Sequence, residues 1–110
     1  MRLQTTADEE LGLLMVTATG VLNERSAAAL RRVFDAAAAA GHLRVILDLT
    51  GLDDVDPAVA VTFLEQDERL TAHGGWLWLV HESDELGAAL RSAGVAPTVR
   101  TSRRVLVSRD

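Results

Sequence analysis

Apolar and polar residues follow two different periods along this chain, and the periods predict its helices and strands. Alternating or continuous apolar runs predict strands at residues 13–19, 43–49 and 76–80, and a short edge strand at residues 2–6. Helical spacing of apolar residues between and after these runs predicts three helices. The order β-β-α-β-α-β-α implies a largely parallel sheet, because strand–helix–strand units require crossover connections, with an antiparallel part at its start.

Turn-forming and capping residues set the expected ends of these elements. Gly20 is expected to break the second strand, and Asn23 to cap the first helix, which Gly41 ends. Either Ser83 or Asp84 is expected to cap the third helix. Beyond that helix, residues 97–101 predict a last short strand and residues 104–107 a short helix or strand.

Both tryptophans lie in the predicted strand at residues 76–80. Trp76 and Trp78 alternate with leucines, so the two indoles face the same side of the sheet. Packing in the core is the expected role of such large apolar side chains. If that face is only partly covered, the two rings instead form an apolar patch for a partner or a second copy of the chain.

Residues 45–64 are the most informative segment. The segment is predicted to be a buried strand, an acidic loop that contains Asp53 and Asp54, and the start of a helix. Asp56 can cap this helix, and Pro57 suits its first position because the missing N–H has no intrahelical partner there. The polar residues further along, Glu65, Asp67, Glu68 and Arg69, predict a solvated helix face.

This segment resembles the signature of the STAS family, the sulfate transporter and anti-sigma factor antagonist domains. The family's strand ends in Asp-Leu-Ser, which corresponds here to Asp48-Leu49-Thr50. Further similarity lies in Gly20-x-Leu22-Asn23, in the Gly-Gly pair after the second helix and in Ala93-Gly94-Val95. The resemblance implies one STAS-like domain over residues 1–110, an α/β fold with a mixed, mostly parallel sheet of four to five strands and three to four helices.

The family's second helix opens with Asp-Ser-Ser-Gly, whose second serine is a phosphorylation switch. Here the same place reads Asp56-Pro57-Ala58-Val59, so the hydroxyl that would accept phosphate is absent. Thr62, one turn further along the helix, is the weaker alternative acceptor, and a packed threonine is the expected role for it. By resemblance, the partner-binding residues are Asp53, Asp54, Asp56, Pro57, Ala58, Val59, Thr62 and Glu65.

Composition removes several classes of function. A length of 110 residues suits one domain, and a net charge of −5 disfavours a nucleic-acid partner. The chain has no cysteine, and all 11 basic residues are arginine, which excludes disulfides, thiolate metal sites and Schiff-base lysines. The chain contains no apolar run of 18 residues, the length that would predict a membrane-spanning helix, so the cytoplasm is the expected compartment.

Metal, cofactor and catalytic sites are not predicted. One alternative is a hard-cation site formed by Asp48, Asp53, Asp54 and Asp56, like the carboxylates with which phosphoacceptor receiver domains bind magnesium. Such a domain also needs a lysine, and this chain has none. The histidines at positions 42, 73 and 81 show no ligand spacing and are expected to be ordinary surface residues.

The sequence therefore predicts a non-enzymatic binding protein. The first hypothesis, by resemblance, is an anti-sigma factor antagonist that binds a histidine-kinase-like anti-sigma factor without a serine switch. The alternatives are an accessory STAS subunit of a transporter ATPase or scaffold complex, and a small-ligand sensor. The chain is expected to be a monomer or a weak homodimer.

Overall fold

A five-stranded sheet in the order β1-β2-β3-β4-β5 forms the centre of the computed structural model, which describes residues 1–94 and 100–103. Only the β1–β2 pair is antiparallel, so the predicted mixed, mostly parallel α/β sheet is confirmed. The strands are β1 (Arg2–Asp8), β2 (Leu13–Leu22), β3 (Arg44–Val55), β4 (Trp76–His81) and β5 (Arg100–Arg103). The helices are α1 (Glu24–Ala39), α2 (Ala60–Ala72) and α3 (Asp84–Ser92), with a 3₁₀ turn at Pro57–Val59 before α2.

The core lies on one side of the sheet, between the strands and the three helices. Alternate residues of the central strands are fully buried, among them Val16, Leu47 and Leu79. Phe34 from α1 and Phe63 from α2 pack into the same apolar cluster. Because the buried strand residues all share one alternation, the helices cover a single face of the sheet.

The opposite side of the sheet, called the open face below, is only partly buried. Trp78 is 38% exposed and Trp76 is half-buried, so the prediction that both indoles pack in the core is wrong. The two rings contact each other edge to face, with their centroids 6.0 Å apart. On the three central strands, the open face carries Leu13, Met15, Thr17, Arg44, Ile46, Asp48, Trp76, Trp78 and Val80.

Strands β2 and β3 run further than the sequence indicated. Gly20 does not end β2, and the supposed acidic loop continues β3 and pairs with β2 as far as Leu22 and Val55. The pairing has two register shifts, at each of which β3 carries one extra residue. Asp53 and Asp54 therefore lie in an irregular strand, although both side chains are exposed as predicted.

Capping groups place α1 and α3 as the sequence indicated. Asn23 and Ser26 form a reciprocal capping box at the start of α1. Ser83, rather than Asp84, caps α3, and its hydroxyl accepts from the N–H of Leu86 at 3.2 Å. The last strand begins at Arg100, and the predicted residues 97–99 and 104–107 lie outside the described part of the chain. None of the helices in the described part is long and apolar enough to span a membrane.

The predicted solvated face of α2 is only partly solvated. Glu65, Glu68 and Arg69 are exposed, but Asp67 is buried, and its carboxylate accepts from the N–H of Leu77 at 3.1 Å. Among the described residues, the pairing of β4 with β5 begins at Trp78, one residue after Leu77. The side chain of Asp67 thus joins α2 to the start of β4.

Gln66 is buried beside Asp67, and its Oε1 has no hydrogen-bond partner within the part of the chain that the structure describes. An unsatisfied buried carbonyl costs about 1–3 kcal/mol. We expect Gln66→Met, which keeps the length of the side chain and removes the amide, to raise the free energy of unfolding by about 1 kcal/mol. Urea denaturation measures this change. Glu68→Met is the matched exposed control, and an equal gain there would attribute the effect to helix propensity instead.

Candidate partner-binding site

The segment before α2 forms an exposed turn whose backbone is held by Asp56. The Asp56 carboxylate accepts from the N–H of Ala58 at 2.9 Å, and the Asp56 carbonyl accepts from the N–H of Val59 at 3.0 Å. The N–H of Asp56 donates to the carbonyl of Leu22 at 2.8 Å, which ties the turn to the end of β2. Asp56 caps as predicted, but it caps the 3₁₀ turn rather than α2 itself.

This arrangement places a carboxylate on the N–H of Ala58, the residue that the resemblance predicts to correspond to the family's switch serine. Free N–H groups at a helix start are what a phosphate would use. Here the first of them is already satisfied by Asp56, and Ala58 presents only a methyl group to solvent.

The predicted binding residues divide into exposed and buried ones. Six of the eight are exposed around the turn and the first part of α2: Asp53, Asp54, Asp56, Pro57, Ala58 and Glu65. Val59 is 2% exposed and Thr62 is 4% exposed, so both pack beneath the surface in this structure. Thr62 accepts a hydrogen bond from Arg31 on α1, with its Oγ1 3.3 Å from the guanidinium Nη2.

A shallow groove runs between the start of α1 and the start of α2. Arg31 and Glu65 line it, together with Ala58 and Val61. Val61 is 56% exposed, and its exposure was not predicted from the sequence. The available signal was that Val61 lies outside the apolar stripe that Phe63 and Leu70 define on α2.

Charge around the turn is mostly negative. Glu24, Asp53, Asp54, Asp56 and Glu65 are all exposed acidic residues on or beside the turn and the groove. Such a surface, with exposed apolar groups at Ala58 and Val61, is chemically suited to a partner that presents basic residues around an apolar contact.

The other predicted groups lie apart from this turn. Asp48 accepts from both the N–H and the hydroxyl of Thr50, at 2.9 and 2.6 Å, which stabilises the strand there. Among the described residues, no three acidic or histidine side chains come close enough to hold a metal ion.

Two of the three histidines are not the surface residues that the sequence predicted. His42 is 8% exposed and contacts the Glu9 carboxylate at 3.1 Å, and His81 is also 8% exposed, with Nδ1 3.2 Å from the carbonyl of Ser83. His42 lies in the connection between α1 and β3, and His81 ends β4 and lies against Gly87 of α3, whereas His73 at the end of α2 is exposed.

Solved structures with a similar fold are anti-sigma factor antagonists by their descriptions. A candidate antagonist from Thermotoga maritima superposes with a TM-score of 0.80 at 15% identity, over 94% of this chain and 87% of that one. SpoIIAA, an anti-sigma factor antagonist in its unphosphorylated form, gives 0.79 at 16% identity, over 94% and 89%. An antagonist from Mycobacterium paratuberculosis gives 0.74 at 17% identity, over 91% and 85%.

At these identities the structures establish the fold, and the family follows from the sequence match. No curated protein matches this chain significantly. The family model described as "Mlab, STAS domain" matches residues 5–103, which is most of the chain. With the predicted sheet and helices present in the structure, this match shows that the chain belongs to the STAS domain family.

Proposed function

We propose that this protein is a binding protein of the anti-sigma factor antagonist type that contacts its partner through the turn at residues 56–58 and the start of α2. The proposed partner is an anti-sigma factor of the kinase-like ATPase type. The observation that carries the proposal is the exposed turn itself, which Asp56 holds in a capped conformation and which presents Ala58 to solvent. By resemblance, Ala58 takes the place of the family's switch serine.

The missing hydroxyl defines how such a complex would behave. Phosphorylation of a serine here would place nearly two negative charges inside a desolvated interface and release the partner. Ala58 accepts no phosphate, so we propose that the partner's kinase activity does not end this complex. Release would then depend on concentration or on competition by another protein.

Family membership and the anti-sigma factor antagonists among the structural neighbours support this proposal. So does the combination of exposed acidic residues with an exposed apolar centre at Ala58 and Val61, because desolvated apolar contacts provide affinity while charges orient the partner. We propose the cytoplasm as the site of action, since the proposed partners act on sigma factors.

The second candidate is a stable accessory subunit of a transporter ATPase or a scaffold complex. The absence of a hydroxyl at position 58 favours this candidate as well, because a permanent complex requires no phosphorylation switch there. The two candidates differ in the identity and lifetime of the complex, so one capture experiment separates them.

Ala58→Glu is expected to weaken binding to the kinase-like ATPase by at least about tenfold, since a carboxylate beside Asp56 would be buried without a counter-charge. Ala88→Glu on α3 is the matched control because Ala88 is also an exposed helical alanine. The chain is first used to capture its partner from its native lysate, and the affinity is then measured by isothermal titration calorimetry with purified proteins.

Ala58→Ser provides the complementary test. With ATP present, we expect the partner to phosphorylate and release this variant while it leaves the native chain bound. Capture of a transporter or scaffold subunit in place of such an ATPase would favour the second candidate. Equal affinity of the Ala58→Glu and Ala88→Glu variants would remove the turn from the interface.

A further inference from the structure

A row of apolar side chains crosses the open face of the sheet. Met15 on β2 pairs with Ile46 on β3, and Ile46 pairs with Trp78 on β4, so the three residues lie side by side. Met15 is 45% exposed and Trp78 is 38% exposed. Contiguous exposed apolar groups of this kind on a small domain mark interaction surfaces, and we call these three residues the apolar row.

The charges beside the row have opposite signs on its two sides. Arg44 precedes Ile46 by two residues and Asp48 follows it by two, so both lie on the open face of the same strand. Arg44 is exposed, and its Nη1 donates to the carbonyl of Leu11 at 3.3 Å. Within residues 1–94 and 100–103, neither Arg44 nor Asp48 forms an ion pair with another side chain of its own chain.

On the three central strands this arrangement is self-complementary. A twofold axis along the apolar row would stack two open faces with their β3 strands antiparallel. Ile46 would then face Ile46 of the second copy, and Arg44 of each copy would face Asp48 of the other. The same rotation brings Trp76 opposite Val80, so the apolar contact extends to both sides of the row.

We propose that two copies of this chain form a symmetric dimer through the open faces of their sheets, with the apolar row on the twofold axis and two Arg44–Asp48 pairs beside it. Face-to-face packing of two sheets about 10 Å apart is a common geometry. A second copy is the occupant because it supplies both the matching row and the opposite charges in the required order.

This proposal does not rest on the proposed function. Ala58 and the groove between α1 and α2 belong to the helical side of the sheet, so the dimer would leave both of them accessible. Each dimer would present two partner-binding turns facing away from the contact.

Two single variants test the charge pairing. Arg44→Glu would set a glutamate against Asp48 in both pairs, and Asp48→Arg would set a second arginine against Arg44. We expect each variant alone to dimerise at least about tenfold more weakly than the native chain. Mixed together, the two variants restore one Glu–Arg and one Asp–Arg pair, so a heterodimer is expected to form with close to native affinity. Sedimentation velocity over a concentration series measures all four samples.

Tryptophan fluorescence gives a second readout, because the only two tryptophans of the chain both lie on the open face. The emission of the native chain is expected to shift to shorter wavelength as concentration rises, and that of Arg44→Glu is expected to shift far less. Should Asp48→Arg fail to fold, Arg44→Glu and this shift still test the proposal. A native chain that stays monomeric up to its solubility limit, single variants that dimerise normally, or a mixture that does not recover would each overturn it.

Discussion

Replacing Gly75 by alanine is expected to lower the free energy of unfolding by about 3 kcal/mol or more, although the backbone of Gly75 is not left-handed. A methyl group on Gly75 would overlap the carbonyl of Leu43, with the new carbon 2.7 Å from the carbonyl carbon. That carbonyl accepts from the N–H of Trp76 at 3.0 Å at the start of the β3–β4 pairing. The backbone of Leu43 therefore cannot yield without breaking this hydrogen bond.

Gly74 is the matched control for this prediction. Its φ of +83° lies in the left-handed region that favours glycine, but a methyl group there would meet nothing within 4 Å. Gly74→Ala is expected to cost only the left-handed strain, about 1–2 kcal/mol. Chemical denaturation of both variants gives the comparison, and a larger loss for Gly74→Ala would show that the close approach of Leu43 does not govern this turn.

Asp67→Ala is expected to destabilise the fold by about 1–3 kcal/mol, because it removes the carboxylate that accepts from the buried N–H of Leu77. Leu77 is fully buried at the start of β4, one residue before the described pairing with β5 begins. The lost hydrogen bond also releases the link between α2 and the sheet.

Asp67→Asn separates the hydrogen bond from the charge, since its amide oxygen can accept from Leu77 in the same position. We expect this variant to retain most of the native stability in urea denaturation. Glu68→Ala, one residue further along α2 and exposed, is expected to change stability by less than about 0.5 kcal/mol. If Asp67→Asn proves as unstable as Asp67→Ala, the acceptor is not what stabilises β4.

The pattern of apolar residues predicted where the strands lie, but it did not predict which face of β4 is buried, since the tryptophans were expected in the core and Leu77 and Leu79 occupy it instead. Val45 and Leu47 are buried as their position in an apolar run indicated, and Asn23 caps α1 as its residue type indicated. These features depend on local chemistry, which a single sequence carries. The continuation of β3 past Gly51 depends instead on pairing with β2, which no local pattern records.

Burial of polar and aromatic groups was harder to predict because it depends on what lies opposite them. Asp67 is buried because Leu77 requires an acceptor, and Trp78 is exposed because the helices cover only the other face. At the candidate site, the resemblance predicted a partner-binding turn without the switch hydroxyl, and this stays a prediction. It did not distinguish the exposed Ala58 from Val59 directly beneath it, since both are apolar and adjacent.

The two extra residues of β3 restrict how this segment can change length. The first extra residue reverses the alternation of inward and outward side chains, so that Leu52 contacts the core. The second restores the original alternation, so that Val55 also contacts the core. Deletion of one residue here would turn Val55 toward solvent and rotate Asp56 away from the turn that it caps. Only paired insertions or deletions preserve the direction in which the chain presents Ala58. The two extra residues of β3 therefore fix the orientation of the candidate site as well as the path of the strand.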